Sequence, residues 1–190
     1  MKKKLLYMAT LIICISIITG GTFAYFTYDD TAHNVITTNK VNIKVLNMIE
    51  QNGVLVESDN AAIPIMPATT VDKVISAQSV ETPAWVRLKY DLEVYDSNGD
   101  KIAIPKAELD SIIIIEPNST DWIEKDGWWY YKAVVAGGEK TTPLFEEIKF
   151  SGPGMGNEYQ NGTVKLLLKG HAVQSANNGS SVMEADGWPQ

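Results

Sequence analysis

From Val41 to Val173 the chain alternates apolar and polar residues with a period of two almost throughout. Val41, Ile43 and Val45 alternate with Asn42, Lys44 and Leu46. The clearest stretch follows later: Val86, Leu88, Tyr90, Leu92 and Val94 face one way, and Arg87, Lys89, Asp91 and Glu93 face the other. That is the pattern of a strand with one buried face. It runs into Asp96-Ser97-Asn98-Gly99-Asp100, whose Asn-Gly pair suits a tight turn with positive φ. Ile102 and Ile104 begin a returning strand that Pro105 stops. Ile112 to Ile115 is a short β-branched run, read as a strand buried on both faces. Asp126-Gly127 turns into a strand over Trp128 to Val135, and Gly137-Gly138 turns again. Leu144 to Phe150 and Val164 to Val173 add two strands, and Val71 to Val80 a further one of weaker pattern. Only Lys106 to Ser111 has a helical pattern, of one or two turns.

Seven to nine short strands between Gly, Asn, Asp and Pro turns predict an all-β fold. The expected architecture is an antiparallel β-sandwich, jelly-roll-like, with at most one or two short helices. Two loops are long and marked by Gly and Pro, Gln51 to Pro67 and Ser151 to Asn161. Residues 175–190 read as a polar, mobile tail as far as Trp188.

Ahead of this body the pattern changes. Lys2, Lys3 and Lys4 precede an uncharged, mostly apolar run from Leu5 to Thr19, and then come small residues. This is the three-part layout of a secretory signal peptide, with cleavage expected between Ala24 and Tyr25. The apolar run falls short of the ~20 residues that cross a bilayer. Residues 1–24 are therefore expected to meet the membrane only before cleavage, and residues 25–190 to form a single secreted domain.

The leader takes three of the chain's 16 basic residues and none of its 23 acidic ones, leaving 13 against 23 and a net charge of −10 in place of −7. An acidic chain of this kind has no electrostatic footprint for nucleic acid. The sole cysteine, Cys14, lies in the leader, so the mature chain has no thiol for a disulfide, a nucleophile or a zinc site.

Chemistry-bearing motifs are sparse. The two histidines, His33 and His171, are not in a His-Glu-x-x-His arrangement. His171 shares a strand face with Lys165 and Lys169 and reads as solvent-exposed. Asp96-x-Asn98-x-Asp100 has alternating oxygen ligands but lacks the downstream Glu of a calcium loop, so a hairpin turn explains it better. Gly152-Pro153-Gly154-Met155-Gly156 lacks the lysine and helix of a phosphate cradle. Asn-x-Ser/Thr sites stand at Asn118, Asn161 and Asn178. In the cluster Trp128-Trp129-Tyr130-Tyr131, alternation sends one pair, Trp129 with Tyr131 or Trp128 with Tyr130, into the core. The other pair is left at the surface or an interface, where rings can stack on a sugar.

Gly21-Thr22-Phe23-Ala24-Tyr25-Phe26-Thr27, followed by Ala32, Asn34 and Val41-Asn42-Ile43, resembles the opening of the TasA/camelysin family. Pro83-Ala84-Trp85-Val86-Arg87-Leu88, Gly127 to Lys132 and Ala172 to Asn177 are similar to later segments of exported Gram-positive members. The resemblance implies a jelly-roll-like sandwich, cleaved by a SipW-type signal peptidase and placed in the extracellular matrix or at the cell surface. It also implies a biofilm-matrix fibre subunit whose partners are copies of itself or related subunits; with the sparse motifs above, the expected role is structural and non-enzymatic, without cofactor or metal. In such fibres the mature N-terminal segment acts as a donor strand. Here that segment is residues 25–38, with Tyr25, Phe26, Tyr28, Val35 and Ile36 as its apolar positions. The same residues packing as their own domain's first strand is the other outcome. Camelysin-like relatives also imply a metallopeptidase alternative, with His33, His171 and Asp29 or Asp30 converging. A carbohydrate-binding module is the third reading.

Overall fold

A computed structural model describes residues 35–37, 41–59, 61–152, 154–156 and 159–189. The chain divides into two units, Met1–Thr31 and Ala32–Gln190, and the described residues belong to the second. They form an all-β sandwich. The strands, in chain order, are β1 (Val35–Thr37), β2 (Ile43–Gln51), β3 (Val54–Glu57), β4 (Ile63–Pro64), β5 (Thr70–Ser79), β6 (Ala84–Tyr95) and β7 (Lys101–Ile102), then β8 (Ile113–Ile114), β9 (Trp122–Lys125), β10 (Trp128–Tyr131), β11 (Phe145–Phe150) and β12 (Thr163–Gln174). One helix, α1 (Lys106–Ile112), stands between β7 and β8. Among the described residues no helix is long and apolar enough to cross a membrane.

Seven strands make one sheet, in the order β1-β12-β6-β10-β9 with β4 also on β12 and β7 on β6. Five make the other, in the order β3-β2-β5-β11-β8. All pairings are antiparallel except β1 with β12, which run parallel. The long ladder of the molecule is β6 against β12, in register from Ala84↔Gln174 to Tyr95↔Thr163.

Alternation drives the packing. Val86, Leu88 and Val94 of β6, Val164 and Ala172 of β12, and Ile43, Val45, Ile75, Ala77, Phe145 and Ile148 of the other sheet are buried in one core. Each valine, leucine, isoleucine or phenylalanine among them contributes about 1.5–3 kcal/mol on burial. The two sheets approach closely at Gly170, where an added Cβ would stand 2.5 Å from Val45 Cγ2 and 3.2 Å from Ile43 Cδ1. Tyr90 meets Phe145 edge-on across the core, centroids 5.2 Å apart.

Several local expectations are corrected. The stretch 51–67 is not one loop: Asn52 (φ 54°) and Gly53 (φ 78°) turn β2 into β3, and Ile63–Pro64 pairs with β12. Ile112 ends the helix, and of the expected strand only Ile113–Ile114 pairs, with Ile114 exposed on the short edge. The strand after Asp126-Gly127 stops at Tyr131, and its hairpin partner β9 was not anticipated. At Asn98-Gly99 only the glycine takes positive φ, and the Asp96 carboxylate accepts the N–H groups of Asn98 and Asp100 at 2.8 and 2.9 Å. These bonds hold the Asp96 carboxyl below its usual range.

Candidate functional site

The outward face of the seven-stranded sheet carries the most concentrated side-chain chemistry among the described residues. Period two on β6 points Trp85, Arg87 and Lys89 away from the core, and the register places Arg87 opposite both His171 of β12 and Tyr130 of β10. The same alternation resolves the aromatic cluster. Trp129 and Tyr131 pack against the main core, where Tyr131 meets Trp122 at 5.1 Å. Trp128 and Tyr130 join the outer face.

Residues after Gln174 cover that face instead of trailing away. Val182 and Ala185 are buried against Trp85, Tyr130 and Val173, with Trp128 and Trp188 alongside. Asn178 fastens the cover: its Oδ1 accepts the Asp186 N–H at 2.8 Å, and its Nδ2 donates to the carbonyls of Gln174 and Asp186. The Trp85 indole N–H donates to the Asn178 carbonyl at 2.9 Å. A polar composition had suggested a mobile tail. Three apolar residues spaced through it, Val182, Ala185 and Trp188, are enough to dock it on an aromatic surface.

Arg87 lies at the centre, 8 % exposed. Its Nη2 and Nε donate to His171 Nδ1 at 2.9 and 3.3 Å, its Nη1 donates to Tyr130 Oη at 3.0 Å, and its Nη2 also donates to the Pro189 carbonyl at 2.6 Å. Among the described residues no carboxylate lies within ion-pair distance of it. A guanidinium stays charged in a protein, so rings supply the compensation. Its central carbon sits 4.2 Å from the Trp128 centroid, 4.9 Å from that of Trp188 and 5.8 Å from that of Tyr130.

His171 is fully buried, which corrects the exposed reading. Trp128 stacks on its ring, centroids 4.4 Å apart. Because Nδ1 accepts from Arg87, the ring proton resides on Nε2, which has no hydrogen-bond partner among the described residues. Burial, with the neighbouring charges of Arg87 and Lys169, lowers its pKa to about 4, so the ring is neutral at pH 7.

Beside this cluster Trp128 borders a groove of about 360 Å³, lined also by Lys89, Asp91, Leu167 and Lys169. Lys89 and Lys169 stand directly opposite one another, and the Lys169 ammonium is 5.6 Å from the Trp128 centroid.

The other predicted positions divide between described and undescribed residues. Ala24, Tyr25, Phe26, Tyr28, Asp29, Asp30 and His33 lie outside the described residues. Val35 and Ile36 are described in backbone only, opposite Gly170 and His171. No group of three or more His, Cys, Asp or Glu residues able to hold a metal occurs among the described residues. The Asn118 Oδ1 accepts the N–H groups of Thr120 and Asp121, so this residue organises a turn. Sequence reasoning missed Arg87 as a site residue. The signal in the sequence was partial: a cation two residues from Trp85 in a strand that is otherwise apolar as far as Leu88, with the pairing to His171 given only by the register. No family model, curated protein or solved structure matches this chain.

Proposed function

We propose that this chain is an exported structural protein of the cell surface or biofilm matrix, a fibre subunit that assembles through residues 25–38. The observation that supports the reading is the position of Val35–Thr37 at the outer edge of β12, the one parallel pairing among the described strands. One edge of β12 pairs with β6 along its whole length. On the other edge β4 holds Thr163 and Val164, and β1 holds Gly170 to Ala172.

A strand at a sheet edge is held on one side only, so the equivalent segment of another copy can take its place. A segment entering where β1 lies gains main-chain hydrogen bonds for affinity and side-chain contacts for choice of partner. Tyr25, Phe26 and Tyr28 bring apolar area, about 150–250 Å² for each ring, and Asp29 and Asp30 oppose the charges of Lys165 and Lys169 on β12. A contact between the front of one subunit and the edge of the next does not close on itself, so it propagates. The resemblance to the TasA/camelysin family supports export and matrix location. Purified 25–190 is expected to form fibres visible by negative-stain microscopy, and 39–190 to remain a folded monomer. Fibres grown from 39–190 reject the mechanism.

The groove beside Trp128 favours one other reading, a glycan-binding surface. It predicts saturable retention on an immobilised acidic glycan, attracted by Lys89 and Lys169, that Trp128→Ala abolishes.

A further inference from the structure

The five-stranded sheet buries a polar island of its own. Lys73 of β5 is 4 % exposed, Asn47 of β2 5 %, and Ser58, which follows β3, 6 %. Strand register makes them neighbours. β2 runs between β3 and β5. Asn47 is opposite Ile75 of β5, and its carbonyl accepts the Ser58 N–H at 2.8 Å, so Ser58, Asn47 and Ile75 form one row across three strands. Near Lys73 the ladder to β11 is irregular. Phe145 pairs with Ile75 and Glu147 with Asp72, so β5 fits Lys73 and Val74 opposite the single residue Glu146. From this bulge the Lys73 ammonium donates to Ser58 Oγ at 2.6 Å. Ser58 is the cross-strand neighbour of Asn47, so an ammonium held by Ser58 Oγ ends beside the Asn47 row.

The electrostatics suit a nucleophile. Among the described residues no carboxylate lies within ion-pair distance of Lys73. Burial pulls its pKa below the ordinary lysine value, and the nearby Asp59 pulls the other way. A desolvated lysine holds more of the neutral amine, the form that attacks a carbonyl carbon.

We infer that Lys73 and Asn47 join in an intramolecular amide cross-link between β5 and β2. The Lys73 Nζ lone pair adds to Asn47 Cγ. The proton lost by the amine passes to Nδ2, and the tetrahedral carbon collapses with departure of Nδ2 as ammonia. One C–N bond forms and one breaks. The step consumes no oxidant, reductant or cofactor, and the chain lightens by one ammonia, about 17 Da. The link ties the central pair of the sheet in a body whose described residues contain no cysteine. It would serve as the covalent staple that exported proteins otherwise take from disulfides.

Mass spectrometry of purified 25–190 tests this without any variant. The expected intact mass lies about 17 Da below that of the sequence. Trypsin is expected to leave Val45 to Arg87 as one peptide, uncut after Lys73 because its amine is acylated. Full sequence mass, with cleavage after Lys73 and an unmodified Asn47, overturns the inference. A succinimide at Asn52-Gly53 also loses ammonia, so Lys73→Gln separates the two. This variant is expected to regain the full mass, and a loss that survives the substitution overturns the assignment.

Discussion

Arg87 and His171 are opposite residues in the β6–β12 ladder, and the guanidinium closes on the imidazole with Nη2 2.9 Å from Nδ1. Two potential cations are thus kept side by side in a buried place, which is possible because only one is charged. The rings of Trp128 and Trp188 take the charge of Arg87, and His171 accepts a hydrogen bond as a neutral base. The Pro189 carbonyl completes the set, so the same guanidinium fastens the C-terminal cover.

The pH dependence follows from His171. Its folded pKa, about 4, is below its ordinary value of 6.5. The unfolded chain therefore binds more protons in between, and stability falls as pH falls. The contribution is complete above pH 6.5 and is lost as pH drops toward 4. The charges facing the ring are Arg87 beside it and Lys169 two residues away on its own strand, and both oppose its protonation. Thermal melts of the wild type are expected to lose stability across this window. The difference from His171→Gln should shrink over the same range, and a constant difference contradicts the account.

Arg87→Ala removes donors to three acceptors and the cation between two tryptophans. Hydrogen bonds from a charged group contribute about 1.5–3 kcal/mol each, and the losses are not additive. A net loss of about 2–4 kcal/mol is expected in urea unfolding, with the intrinsic tryptophan fluorescence shifted toward that of a solvated indole. Arg87→Lys should rescue little, because an ammonium lacks the planar fork that spans His171, Tyr130 and Pro189.

Gly170 sets the spacing of the two sheets. An alanine there brings its Cβ against Val45, and overpacking costs about 1–3 kcal/mol. Gly170→Ala with Val45→Ala should be more stable than the sum of the single variants implies. Melts of the four proteins in a double-mutant cycle measure that coupling.

Much of this architecture was legible in the sequence because burial on one face imposes period two. Val86 to Val94 and Val164 to Val173 announced β6 and β12, the ladder on which the site is built. The hairpin at Asn52-Gly53 carried the same turn signal as Asn98-Gly99, but β3 exposes Val54 and Leu55 at a sheet edge, so it shows no alternation. The site itself was half legible. Alternation left open which aromatic pair faces outward; only the register Tyr130↔Arg87 decides it. His171 read as exposed because its strand neighbours on that face are lysines. What buries it is Trp128, brought in by another strand, and a cover more than ten residues further along the chain. Contacts of that range leave no mark in local pattern.

The central claim is that residues 25–38 of one copy complete the sheet of another, and exchange between copies can be trapped covalently. Thr37 stands opposite Ala172 in the β1–β12 pairing, and residues 25–190 contain no native cysteine. Chains 25–190 carrying both Thr37→Cys and Ala172→Cys are to be oxidised after fibres have grown and run on a non-reducing gel. The account predicts a ladder of covalent multimers that collapses to one band on reduction; monomers alone, each closed on itself, would contradict it.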